Sequence, residues 1–184
     1  MYRKEVVTMK IPIFLSKPTP ICDEQKCFLK CLNIFLESEG LEPRTLGVTD
    51  YDTKAPLKGI RRIMMESNGL LAIALKKTHI ETGCQYKDRR KKYCVKNKWL
   101  TSPYCQIEPA MAFQLGLPVL ILRDKSVIAD GILEKGALGS FMSVFDMKDG
   151  CDYFCSDEFL ELLREWEADV RTVAKNKGNP PRLY

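Results

Sequence analysis

The sequence predicts a single α/β domain in which a parallel sheet carries helices on both faces. Short, fully apolar segments of strand length recur at Ile11–Ser16, Leu70–Leu75 and Pro118–Leu122, and strands buried on both faces have this composition. Segments with apolar residues at helical spacing lie between them, which is the alternation typical of βαβ units. With 184 residues and 45% hydrophobic content, the chain is long enough to bury one sizeable core.

Four segments have helical spacing, and most carry a recognisable start or stop signal. Pro56 is typical of a first helical turn, Ser102 of an N-cap before Pro103, and Gly40 and Gly116 of helix ends. The predicted helices are Glu24–Glu39, Pro56–Ser67, Ser102–Leu115 and Phe159–Lys175.

Two weaker segments, Leu41–Val48 and Phe141–Asp146, complete a prediction of five parallel strands. Right-handed crossovers then favour a flavodoxin-like doubly wound sheet of order 2-1-3-4-5. We expect residues 1–184 to form one domain with its core at 10–175, a basic insertion at 76–98 and a polar tail at 176–184.

Composition narrows the class of protein. No apolar run approaches the length of a membrane span, and the first residues lack the pattern of a signal peptide, so we expect a cytoplasmic protein without membrane contact. The eight cysteines include no C-x-x-C pair and the only histidine is His79, so we expect reduced thiols and no metal. Neither G-x-G-x-x-G nor a P-loop occurs, which argues against a classical dinucleotide fold or a P-loop NTPase.

Ligands of doubly wound sheets bind beyond the carboxyl ends of the strands. In this sequence those ends carry Ser16, Lys17 and Pro18 after the first strand, and Asp50 and Asp52 after the second. The helix that begins at Ser102 faces the same edge, and Glu108 lies about two turns into it on the expected buried side. A buried carboxylate is costly without partners, which makes Glu108 the leading candidate for a functional residue.

The segment "SPYCQIE", Ser102 to Glu108, resembles the S-x-W-C-x-x-E signature of Toll/interleukin-1 receptor (TIR) domains, with Tyr104 in place of tryptophan. "IPIFLSKP" resembles the first-strand box of that family, and "TDYDTKAPLKGIRRIMMESNGLLAIAL" resembles its second box. Order and approximate spacing agree over residues 10–122.

The resemblance implies an activity. Catalytic TIR domains break the nicotinamide–ribosyl bond of NAD with one glutamate of this motif, which corresponds to Glu108. NAD would be the substrate, and no cofactor is expected. A stand-alone TIR domain further implies anti-phage defence and self-association. The expected substrate contacts are Ser16, Lys17, Pro18, Asp50, Asp52, Trp99, Ser102 and Tyr104. An acidic turn explains Asp50 and Asp52 equally well, and packing explains Trp99 equally well.

Two alternatives stay open. "EPAMAFQLGLPVLIL" is also similar to nucleoside 2-deoxyribosyltransferases, which use a glutamate followed by an alanine and an apolar strand. That resemblance implies a deoxyribosyltransferase or a nucleotide N-glycosidase. A non-catalytic TIR scaffold that works by oligomerising is the third reading.

The basic segment, residues 76–98, holds nine Lys or Arg and two acidic residues, a local charge of +7 in a chain whose net charge is +5. It is interpreted in three ways: as a solvated mobile loop, as a cover or assembly element for the site, or as a polyanion site. Nucleic acid is the least favoured of these, because Tyr86, Tyr93 and Trp99 offer little stacking surface.

Overall fold

The structure is a computed structural model that describes residues 10–50, 55–90, 92–138 and 141–176. Within these ranges, seven strands and four helices occur in the order that the sequence predicts, apart from one added hairpin. The strands are β1 (Ile11–Ser16), β2 (Leu41–Arg44), β3 (Leu70–Ala74), β4 (Thr78–Gln85), β5 (Tyr93–Leu100), β6 (Val119–Asp124) and β7 (Phe141–Phe145). The helices are α1 (Asp23–Ser38), α2 (Pro56–Glu66), α3 (Tyr104–Gln114) and α4 (Asp157–Lys175). Short 3-10 segments lie at Gly131–Leu133 and Met147–Cys155.

Five strands form one parallel sheet in the order β2-β1-β3-β6-β7. This is the predicted flavodoxin-like order 2-1-3-4-5, counted over the strands of the sheet alone. The direction in which successive strands join the sheet reverses beside β1. There the chain that leaves β1 and the chain that leaves β3 turn to opposite faces of the sheet. Folds of this kind bind ligands at such a point.

Helices cover both faces of the sheet. Alternate residues of β3 enter different cores: Leu71 and Ile73 pack with α1 and α4, whereas Leu70 and Ala72 pack with α2 and α3. A side chain at Gly69 would collide with Val170 of α4, so the glycine permits this close approach. The core residues buried on both sides explain why β1, β3 and β6 are almost purely apolar.

Several details of the sequence prediction are wrong. The basic segment is not a loop: β4 and β5 pair antiparallel as a two-stranded hairpin outside the main sheet. The second strand ends at Arg44 instead of Val48, because residues 45–50 form a turn closed by the hydrogen bond from Gly47 N to Asp50 O.

The predicted start of helix α3 is also wrong. Ser102 does not cap α3, whose N-cap is Pro103 with no side-chain capping bond.

The expectation of fully reduced cysteines is also wrong in this structure. Cys31 of α1 and Cys151 of the second 3-10 segment form a disulfide, although 120 residues separate them. The Sγ atoms of Cys27, Cys31 and Cys151 all lie within 4.8 Å of one another. Sequence spacing did not reveal this cluster, because the two parts of it meet only in the folded chain.

Among the described helices, none combines the length and the apolar character that crossing a membrane requires.

Candidate active site

A cavity of about 380 Å³ opens at the carboxyl edge of the sheet, beside β1. Its walls come from the chain that follows β1, β2 and β3 and from the first turns of α2 and α3. The lining residues are Leu15, Lys17, Pro18, Thr19, Thr45, Leu46, Pro56, Ile60, Lys77, Ser102, Tyr104 and Glu108. The cavity therefore lies at the topological switch point, where the fold class predicts a ligand.

Glu108 is the one carboxylate that lines the cavity among the residues described. Only 8% of it is exposed. Burial raises the pKa of its carboxyl to about 7, and the neighbouring Ser16 hydroxyl offsets part of that rise. No lysine or arginine of the described chain contributes to its titration, so no ion pair compensates the buried charge. At neutral pH the group is close to half ionised, as a poised acid or base must be.

Two groups lie beneath Glu108. The Ser16 hydroxyl is buried at the end of β1, near enough to lower the pKa of Glu108, but it meets the geometry of no hydrogen bond within the described residues. The Cys105 thiol is fully buried one helical turn before Glu108 and points to the Ile73 carbonyl at 3.6 Å. Burial raises the pKa of Cys105 to about 11, so the thiol is protonated at neutral pH and is no nucleophile.

Two cationic side chains also line the cavity. Lys17 follows β1 and Lys77 follows β3, and both line the cavity. Burial lowers the pKa of the half-buried Lys17 ammonium. Neither lysine forms an ion pair with any carboxylate in the described ranges. The cavity lining thus combines one carboxyl with two ammonium groups that form no ion pair within the described residues.

Partly buried hydrogen bonds hold these walls together. The Gln25 side chain of α1 accepts from Ile21 N at 2.8 Å and donates to the Lys76 carbonyl at 3.0 Å, which ties the loop after β1 to the segment after β3. Thr45 Oγ1 donates to the Leu15 carbonyl at 2.9 Å and fixes the end of β2 against β1. These bonds therefore hold the segments that carry Lys17 and Lys77 at the edge of the sheet.

The structure brings together most of the predicted site. Lys17, Pro18, Ser102, Tyr104 and Glu108 line the cavity, and Ser16 lies under it.

Two other predicted contacts, Asp50 and Trp99, do not line the cavity. Asp50 accepts two hydrogen bonds from the Arg44 guanidinium, which also binds Glu66, and Arg44 holds the pKa of Asp50 below its usual range. Trp99 lies on β5 with its ring centroid 4.6 Å from that of His79, and it packs against the core instead of lining the cavity. Asp50 therefore agrees with the interpretation as an acidic turn, and Trp99 agrees with the interpretation as a packing residue. Asp52 lies outside the described residues.

Sequence reasoning missed Lys77, Thr45 and Gln25. Lys77 was counted within the basic segment, and only the position of Leu70–Leu75 as a central strand signals that the residues just after it reach the cavity. Gln25 sits among polar residues of a helix start, and nothing local distinguishes it from a solvated side chain.

Comparison with known proteins gives distant similarities only. No protein-family model and no curated protein sequence matches the chain. Among solved structures, the fold is similar to a CMP N-glycosidase of Clostridium botulinum, BcmB, with 16% identity and a TM-score of 0.46, over 78% of this chain and 97% of that one. It is also similar to the TIR domains of the activated Roq1 resistosome, which directly recognises the pathogen effector XopQ. There the identity is 16% and the TM-score 0.42, over 90% of this chain and 84% of that one. Both similarities are too distant to assign an activity.

Proposed function

We propose that this chain is an enzyme that cleaves the N-glycosidic bond of a nucleotide, with Glu108 as its catalytic residue. The observation that supports it is a buried carboxyl without a cationic partner that faces a cavity at the switch point of the sheet. A group that served folding alone would be paired or exposed.

The chemistry fits a single carboxylate. When the bond between C1′ and the base breaks, the electron pair leaves with the base nitrogen and positive charge develops on the ribose. Ionised Glu108 would stabilise that charge before water, or a hydroxyl of the substrate, attacks C1′. With NAD the departing electron pair neutralises the pyridinium ring, so the leaving group needs no proton. In this first form of the proposal, the enzyme cleaves NAD as catalytic TIR domains do and takes part in phage defence.

A mononucleotide is the second candidate, because of the size and charge of the site. At about 380 Å³ the cavity is near the lower end of the range for small-molecule sites. Lys17 and Lys77 offer two unpaired ammonium groups to a phosphate. A neutral base needs a proton as it leaves, and a carboxyl with a pKa of about 7 is able to donate one.

The proposal is tested by incubating the purified protein with NAD, nucleoside monophosphates and the matching nucleosides, and separating the products by chromatography. Free nicotinamide from NAD supports the NAD form, and a free base from a monophosphate supports the mononucleotide form. Transfer of deoxyribose to an added base would identify a deoxyribosyltransferase instead.

Absence of any released base, together with assembly that depends on protein concentration, would favour the non-catalytic scaffold. Assembly is measured by sedimentation of the same preparation.

A further inference from the structure

The basic hairpin β4–β5 borders a second concave surface. This groove of about 600 Å³ lies between β5 and the chain that follows β6, and it shares no lining residue with the Glu108 cavity. Four cationic side chains line it: Lys96 and Lys98 from the hairpin, and Arg123 and Lys125 from the end of β6. From the sequence alone, Arg123 and Lys125 are distant from the basic segment.

The cations are held in place by backbone pairing. Trp99 N donates to the Ser126 carbonyl at 3.1 Å, and Ile128 N donates to the Trp99 carbonyl at 2.9 Å. These bonds pin the base of β5 to the chain after β6, so Lys96 and Lys98 project from an anchored strand. The hairpin is therefore a pair of strands anchored at its base, and its lysines do not lie in an irregular loop.

Little negative charge is available inside the groove. Lys125 pairs with Asp146, but Lys96 and Lys98 form no ion pair within the described residues. The Asp124 carboxylate is 1% exposed, accepts from Ser126 and lies near enough to Arg123 and Lys125 to offset part of their charge. Arg123 donates through Nη1 to the Val127 carbonyl at 2.7 Å, while its buried Nε has no partner in the described chain.

Exposed aromatic rings stand at the tip of the same hairpin. Tyr86 and Tyr93 are 55% and 57% exposed, and their ring centroids are 6.2 Å apart. The Arg89 guanidinium lies 5.0 Å from the centroid of Tyr86. Basic side chains along a strand with rings on which a base can stack are typical of sites for single-stranded nucleic acid.

We propose that the groove and the hairpin bind the phosphate backbone of single-stranded nucleic acid, at a site separate from the catalytic cavity. Lys96, Lys98 and Arg123 neutralise phosphates in the groove, and Tyr86 and Tyr93, which lie beyond its lining at the tip of the hairpin, stack on bases of the strand that leaves it. An acidic protein surface, such as a second copy of this chain, offers the groove charge but gives the exposed rings nothing to stack on.

The test is fluorescence anisotropy of a labelled single-stranded oligonucleotide of about 20 nucleotides, since that length exceeds the site of one small domain. We expect binding that weakens between about 50 and 200 mM salt. The double variant Lys96→Gln/Lys98→Gln should bind at least about tenfold more weakly. Its salt slope should fall by roughly 1.4, because each single-strand phosphate contact contributes about 0.7.

The matched control is Lys30→Gln/Lys175→Gln, which removes the same charge from α1 and α4, outside the groove. It should bind as the parent does, because neither lysine lines the groove. Equal losses in both double variants would show a general charge effect and overturn the proposal. So would the absence of oligonucleotide binding at 50 mM salt, or binding of polyglutamate at least as tight as binding of the oligonucleotide.

Discussion

Glu108 is a carboxylate buried on α3, just ahead of the apolar start of β6. Burial destabilises its charged form, and no cation of the described residues offsets that cost. The folded protein is therefore less stable at neutral and alkaline pH than it would be with a neutral side chain at this position. Such a loss of stability is typical of residues kept for chemistry.

Replacing Glu108 by Gln should stabilise the protein, in a pH-dependent way. The pKa is raised from 4.5 to about 7 on folding, so ionisation lowers the free energy of unfolding as pH rises between those values. Glutamine does not ionise. The variant should therefore gain up to about 3 kcal/mol over the parent at pH 8, since each pKa unit corresponds to about 1.4 kcal/mol.

Urea denaturation at pH 4.5 and pH 8 measures this difference. Glu161→Gln, the same change at an exposed position of α4, is the control and should show no such pH-dependent gain. A Glu108→Gln protein no more stable than the parent at pH 8 would mean that the carboxyl is solvated or paired.

The pH profile of kcat/KM distinguishes the two candidate substrates. Cleavage of NAD needs ionised Glu108, so kcat/KM should rise as pH increases through about 7 and then level off. Cleavage of a neutral base needs a donated proton, so kcat/KM should fall over the same interval. A flat profile from pH 5.5 to 8.5 would contradict both assignments.

At the scale of elements, α1 joins two edges of the cavity through one side chain. Replacing Gln25 by Met, which has similar volume, leaves the Ile21 amide and the Lys76 carbonyl without their partner. We expect a loss of about 1–3 kcal/mol in the free energy of unfolding and a lower kcat/KM, because the loop that carries Lys17 loses its tether. Both are measured against Gln114→Met, an exposed change on α3. If kcat/KM in Gln25→Met matches that control, the tether does not position the loop.

Strands and helices of the core were predictable where burial on both faces imposes an apolar pattern. β3 and the first four residues of β6 are continuous apolar runs, and α4 repeats its buried residues at helical spacing. The hairpin was not predictable in this way. In "THIETGCQ" and "YCVKNKWL" nearly every residue is exposed, so no buried face marks the strands and the charge of the segment dominates the pattern.

At the scale of the whole molecule, the disulfide joins parts of the chain that are distant in sequence. Closing a loop of 120 residues should contribute about 4–5 kcal/mol to the free energy of unfolding by restricting the unfolded chain. Urea denaturation with and without dithiothreitol measures this contribution. The shift should disappear in Cys31→Ser and persist in Cys84→Ser, which alters a free thiol of the hairpin. Equal midpoints of the parent with and without reductant would show that Cys31 and Cys151 are not bonded in solution.

Much of the site was predictable, because the strand ends of a doubly wound sheet converge on one edge. That rule located Lys17 and Pro18, and the helix pattern located Glu108 and Tyr104. It failed for Asp50, since sequence does not show that Arg44 would occupy that carboxylate. It failed for Lys77 and Gln25 because their roles depend on contacts between segments that are far apart in the chain. Self-association and compartment stay predictions.

The most direct test of the central claim compares the parent protein, Glu108→Gln and Glu161→Gln in release of free base from the best substrate of the nucleotide panel. We predict that Glu108→Gln stays folded and loses at least about a hundredfold in kcat, as expected when a group that stabilises developing charge is removed. Glu161→Gln should match the parent. Turnover by folded Glu108→Gln at the rate of the parent would contradict the assignment of Glu108 as the catalytic residue.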